Sequence, residues 1–226
     1  MISHKHKVIF IHIPKCAGTS INTFFNPEIT FKTSPPNYEL LFGWCPKRKI
    51  HLQHATSKQL LELDLISEKN WKAYFKFTFV RNPWDRAYSD YIYVKKFSGV
   101  KGTFKNYINK SNEFKSILRD RENHHYLGDH LIPQTDFFDF DNTYQMDYIG
   151  RFENLNYDIS KILNKLDIDK TFDRFENKGN RYLNYSNFYT NTMKKLVEKK
   201  YNKDISLLKY AFENKRTGLN KLKTFL

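Results

Sequence analysis

Lys7-Val8-Ile9-Phe10-Ile11-His12-Ile13 runs directly into Pro14-Lys15-Cys16-Ala17-Gly18-Thr19-Ser20, and this junction decides the fold. The first seven residues are mostly apolar and rich in β-branched side chains, the pattern of a strand buried on both faces of a parallel sheet. Pro14 ends the run, a polar turn follows, and Ile21, Phe24 and Phe25 come next at helical spacing. The same succession recurs later: Tyr74 to Val80 reads as a strand, Arg81-Asn82-Pro83 turns the chain, and Trp84 to Phe97 reads as a helix with proline near its start. Two strand-loop-helix units predict an α/β fold with a central parallel sheet flanked by helices. Ligands in such sheets sit at the carboxyl ends of the strands, so both polar loops are expected to face one crevice.

Outward from these units the pattern thins. Ile50-His51-Leu52-Gln53 suggests a second short strand, and Ser57 an N-cap for a helix carrying Leu60, Leu61 and Leu65. Tyr148 to Phe152 suggests another strand. Ile159, Ile162, Leu163 and Leu166 share one helix face, as do Met193, Leu196 and Val197. No linker, repeat or low-complexity tract divides the chain, so residues 1–226 are expected to form a single domain.

The 226 residues carry 38 Lys+Arg against 24 Asp+Glu, a formal charge of +14. With 40% hydrophobic and 17% aromatic residues the chain can build a core, which excludes general disorder. The charge points to a polyanion: nucleic acid, an acidic membrane surface or a small anionic ligand. Short clusters at Lys47-Arg48-Lys49, Lys194-Lys195 and Lys199-Lys200 read as solvated surface, and there is no recognisable nucleic-acid module. Two cysteines, Cys16 and Cys45, exclude a disulfide framework and a multi-cysteine metal cluster. With no membrane-span-length apolar run and no leader-like segment, a cytoplasmic protein without a membrane span is expected.

The turn at 14–20 has the parts of an anion cradle. A helix N-terminus presents backbone N–H groups and the positive end of its dipole; Gly18 permits close approach, Thr19 and Ser20 add hydroxyls, and Lys15 brings a full charge. An ordinary capped turn would also use Ser or Thr. The segment lacks the Gly-Lys-Ser/Thr of nucleoside triphosphatases, because its lysine precedes the glycine by three residues.

Phe10 to Ser20 resembles the 5′-phosphosulfate loop of sulfotransferases, most closely the carbohydrate enzymes of the heparan 2-O and chondroitin type. Phe79-Val80-Arg81-Asn82-Pro83 with Ser89, eight residues after the arginine, resembles their 3′-phosphate site. Weaker pieces follow in the family's order: His54-Ala55-Thr56, His130 to Gln134, Tyr148 to Leu155, and Tyr201 to Tyr210. The resemblance implies a three-layer P-loop-like fold and a soluble, bacterial-type enzyme. Its implied co-substrate is 3′-phosphoadenosine 5′-phosphosulfate, with no metal, and its implied acceptor is a hydroxyl of a small-molecule or glycan substrate.

By the same resemblance Lys15 is catalytic and donor-binding. Cys16, Ala17, Gly18, Thr19 and Ser20 cradle the donor, Arg81 and Ser89 hold its 3′-phosphate, and Arg181 belongs to a closing loop. An acceptor hydroxyl needs a base, and histidine suits neutral pH; His54 is the candidate, with His51 as the alternative register. Two other readings compete: a nucleotide-dependent kinase with a variant phosphate loop, and a non-catalytic basic nucleic-acid-binding protein.

Overall fold

The computed structural model describes residues 1–30, 34–139, 145–173 and 184–225. In chain order its elements are β1 (Ile2–Ser3), β2 (Val8–Ile11), α1 (Gly18–Phe25), β3 (Trp44–Cys45), β4 (Ile50–His51), α2 (Ser57–Glu62), α3 (Glu68–Ala73) and β5 (Phe75–Val80). Then come α4 (Pro83–Ser98), α5 (Phe104–Ile108), α6 (Lys115–Arg119), β6 (Tyr148–Arg151), α7 (Leu155–Lys165), α8 (Asn191–Lys200) and α9 (Asn202–Leu207). They fall into two compact units, one of Met1–Val80 with Asp136–Lys178 and one of Arg81–Thr135 with Gly179–Leu226.

The first unit is α/β. Its main sheet has the order β1-β2-β5-β6; β2, β5 and β6 run parallel, and β1 adds an antiparallel edge. Every residue of β2 is buried, which is why this run shows no polar alternation. Phe10 pairs in register with Phe77 and stacks on it at 5.0 Å. Burying side chains of this size contributes about 2–3 kcal/mol each. Thr78, the polar residue in the middle of β5, is buried at no hydrogen-bonding loss because its hydroxyl donates to the Ile11 carbonyl at 2.8 Å.

At the far edge Gly150 lies opposite Phe79, and a Cβ there would stand 2.5 Å from the Phe79 ring. Asp158 ties α7 to this strand by accepting the Arg151 N–H at 2.7 Å and the Tyr148 hydroxyl at 2.9 Å. Burial and that carboxylate push the Tyr148 phenol up to about 12.

Three local expectations are corrected. The strand at residues 50–53 is only Ile50–His51, and it pairs antiparallel with Trp44–Cys45 in a separate two-stranded ladder. Leu52–His54 then closes a 3₁₀ turn. The cap of α2 is Thr56, not Ser57: Thr56 Oγ1 accepts the Gln59 N–H at 3.2 Å while Gln59 Oε1 accepts the Thr56 N–H at 3.0 Å, so a full capping box outcompetes a lone serine. Leu65 lies beyond the end of α2.

The second unit is helical around an aromatic core. Trp84, Ala87, Tyr91 and Val94 form the inward stripe of α4, against Tyr107, Phe114 and Tyr189 among others. Trp84 is a core residue, with its indole N–H donating to the Lys194 carbonyl at 3.3 Å. Buried phenols find acceptors: Tyr189 donates to the Trp84 carbonyl at 2.7 Å and Tyr107 to Asp90 at 2.6 Å. Burial, then the Asp90 charge, raises the Tyr107 phenol well above its usual value.

Candidate active site

In the first unit the loop after β2 turns twice through the left-handed region, at Lys15 (φ 69°) and Ala17 (φ 64°), although neither is glycine. Such positions cost on the order of 1–3 kcal/mol each and persist at sites that clamp ligands. The turns deliver the chain into α1 with Ala17 as N-cap and no side-chain cap. The first helical hydrogen bond runs from Ile21 N to Ala17 O, so the amides of the first helical residues, Gly18 to Ser20, point toward the helix end. Lys15 is half-buried, and Cys16 is fully buried with its thiol toward the Pro14 carbonyl at 3.7 Å.

Gly18 has a reason beyond flexibility. A Cβ built on it would lie 1.8 Å from the His12 imidazole, so the glycine makes room for that ring. His12 is buried at the end of the strand run, as its sequence position suggests, and its carbonyl receives the candidate base. His54 Nδ1 lies 3.1 Å from His12 O, and the two rings meet edge to face at 4.5 Å. A carbonyl only accepts, so Nδ1 carries the hydrogen, and in the neutral ring Nε2 carries the lone pair. That is the tautomer a general base requires. His51 sits in β4, with its ring 4.9 Å from Trp44 and 6.3 Å from His54.

In the second unit Arg81 is buried, and both Nε and an NH2 group bind Asp85 Oδ2, at 2.8 and 2.6 Å. The pair is one helical turn apart, so Asp85 sets the guanidinium plane. The Arg81 backbone is gripped as well: its N–H donates to Gln134 Oε1 at 2.8 Å, and Gln134 Nε2 donates to its carbonyl at 2.9 Å. Gln134 is held in turn by Asp204, which accepts the Gln134 and Thr135 N–H groups at 2.8 and 2.9 Å and the Thr135 hydroxyl at 2.9 Å.

Ser89 is half-buried, two turns into α4. Arg86 is buried and donates to the His130 and Ile132 carbonyls at 2.8 and 3.1 Å. It is a brace for the 130–132 turn. Arg181 lies outside the described residues.

Sequence reasoning missed the His12 carbonyl and the Gln134–Asp204 clamp. No local signal marks either, because the partners are 42 to 70 residues apart. The Asp85 pairing was open to view as an i,i+4 spacing. Among the described residues no group of three or more His, Cys, Asp or Glu is placed to hold a metal, and no helix is long and apolar enough to cross a membrane.

A curated archaeal relative from Archaeoglobus fulgidus, described as an uncharacterized protein, is 31% identical over 111 residues, covering 48% of this chain and 80% of that one. No solved structure matches the chain. A family model described as the sulfotransferase family matches residues 1–211, and it favours neither the kinase nor the nucleic-acid alternative. The match takes in the phosphate-type loop, the clamped Arg81 and the oriented His54 alike, and on its extent the chain belongs to the sulfotransferase family.

Proposed function

We propose that this chain transfers a sulfuryl group from 3′-phosphoadenosine 5′-phosphosulfate to a hydroxyl of a carbohydrate or glycan-like acceptor, on a three-layer P-loop-like fold over a single domain of residues 1–226. The observation that carries the reading is the His54–His12 bond: it anchors an imidazole, in its base tautomer, to the backbone three residues ahead of Lys15. A proton acceptor and an anion cradle are thereby built on the same strand end.

Sulfuryl transfer resembles phosphoryl transfer in needing in-line positioning and charge stabilisation. When bound, the donor supplies an activated sulfuryl group on a nucleotide leaving group. The amides of Ala17 to Ser20 hold its 5′-phosphate, and the Lys15 ammonium neutralises the oxygen that leaves sulfur. His54 Nε2 takes the acceptor proton as the new O–S bond forms, while Nδ1–H on the His12 carbonyl keeps the ring in register. Arg81 and Ser89 take the 3′-phosphate, with Arg81 already oriented by Asp85 and its backbone set by Gln134. Arg181 is assigned to the loop that closes over the donor. No metal enters the scheme, and a cytoplasmic setting is proposed.

Thermal denaturation with adenosine 3′,5′-bisphosphate, with ATP plus Mg, and with duplex DNA tests the donor. Stabilisation by the bisphosphate alone is expected; a response to DNA with none to the bisphosphate would overturn the reading. Rate profiles against pH test the base. The acid limb should rise as the imidazole sheds its proton, and His54→Ala should lower the rate about 100-fold and abolish that limb. His51→Ala should retain it.

A further inference from the structure

Past residue 211, where the family match ends, Gly218–Thr224 forms a seven-residue 3₁₀ helix, a long run for that geometry. With three residues to a turn, Leu219, Leu222 and the following Phe225 fall in one row, and they are 86%, 59% and 85% exposed. Polar groups hold the segment to the helical unit. The buried Arg216 donates to the Tyr189 carbonyl at 2.9 Å, and the Thr217 N–H donates to Asn187 Oδ1 at 2.9 Å. Lys223 Nζ donates to the Asn187 carbonyl at 2.6 Å, and the Asn191 side-chain amide donates to the Thr224 carbonyl. The usual amphipathic arrangement is thus inverted: polar groups anchor the helix inward while its apolar row faces water. Single exposed leucines are ordinary, but three large apolar side chains in one anchored row mark a contact surface.

Charge tells what the contact is. The second unit holds 21 Lys+Arg against 9 Asp+Glu, a formal +12, whereas the first holds 17 against 15, or +2. Residues 191–226, which carry the row, have ten Lys+Arg against three Asp+Glu, with Lys195, Lys199 and Lys221 exposed. A second copy of the chain would bring like charge against like. An apolar row set among cations fits the surface of an anionic bilayer, where leucine and phenylalanine enter the boundary between headgroups and acyl chains while ammonium groups meet the lipid phosphates.

We propose that Leu219, Leu222 and Phe225, with Lys221, dock this protein on the surface of a bilayer that contains anionic lipid, the apolar row entering the interface and the lysine meeting the headgroups. The contact is interfacial and needs no spanning helix. It does not depend on the sulfotransferase reading, to which it adds a place of work at a membrane surface.

The test is co-sedimentation of the full chain with vesicles of phosphatidylcholine alone and of phosphatidylcholine with about 30% phosphatidylglycerol, in about 100 mM NaCl. The mixed vesicles should bind the protein, and phosphatidylcholine alone at least about tenfold more weakly. Leu222→Ser and Lys221→Glu, both at exposed positions, should each weaken binding to the mixed vesicles about tenfold. Phe225→Trp should keep binding, and its added indole should shift to shorter emission wavelength and be quenched by brominated acyl chains, whereas the wild-type emission is not. Absence of binding to the mixed vesicles overturns the proposal. So does binding that neither Leu222→Ser nor Lys221→Glu weakens, which is adhesion by the charge of the unit at large, and so does Phe225→Trp binding without quenching. A vesicle-free dimer that Leu222→Ser dissociates gives the row to a second copy and overturns it as well.

Discussion

Gly18 and His12 are complementary at the level of single atoms: one lacks the Cβ that the other's ring would meet at 1.8 Å. Gly18→Ala should therefore cost about 2 kcal/mol, the overpacking range, read as a lower midpoint in urea. Because His54 hangs on the His12 carbonyl, the same variant should lose activity beyond its loss of stability; full activity at full fold would show that His12 need not stay where it is. Lys110 poses a different question. It donates to the Gly128 carbonyl at 2.9 Å, and burial followed by the neighbouring Lys200 lowers its ammonium to about 8 from an ordinary 10.5. A folded value below the unfolded one means the unfolded chain binds the proton more tightly. The charge thus opposes folding at pH below 8, and the opposition is relieved as pH rises from 8 toward 10.5. Lys110→Met should stabilise at pH 7 by about 1 kcal/mol, after allowance for partial solvent screening, with the gain over wild type vanishing near pH 10. Thermal melts across that range would register it.

At the scale of elements, the start of α4 is positioned less by its own cap than by residues distant in sequence. Asn82 caps the helix through the Trp84 N–H and reaches the Ala211 carbonyl at 2.9 Å, while Gln134 brackets the Arg81 peptide and Asp204 brackets Gln134. Asp204 is fully buried, so removing it strands two N–H groups and a hydroxyl. Asp204→Ala should cost about 3 kcal/mol, and Gln134→Ala less. At permissive temperature both variants should raise the Kd for adenosine 3′,5′-bisphosphate through a misplaced Arg81. Unchanged affinity in folded Gln134→Ala protein would reduce the clamp to a packing feature. The helices and main strands were largely legible because each buries a stripe or run of apolar side chains. The two-stranded ladder at Trp44–Cys45 and Ile50–His51 and the Thr56 cap were misread, since two-residue strands have no period and Thr56 and Ser57 are both capable caps.

Across the whole molecule, the +14 is not shared evenly: +12 belongs to the helical unit and +2 to the α/β unit. Like charge at that density opposes compactness of the unit that carries it. Raising NaCl from about 20 to about 200 mM, which shortens the screening length severalfold, should therefore raise the melting temperature by a few degrees. No change would mean that local ion pairs already offset the repulsion.

The amino-acid order by itself determined the strand-loop-helix junctions, the phosphate-type loop at Lys15 to Ser20 and the Arg81–Ser89 spacing, because each is a contiguous pattern whose chemistry is local. Only tertiary structure decided which nitrogen of His54 holds the proton, why residue 18 must lack a side chain, what grips Arg81, and that the basic excess is gathered on the unit that turns Leu219, Leu222 and Phe225 outward. Those features depend on partners 42 to 70 residues apart or on burial, and neither is written in any one stretch of chain.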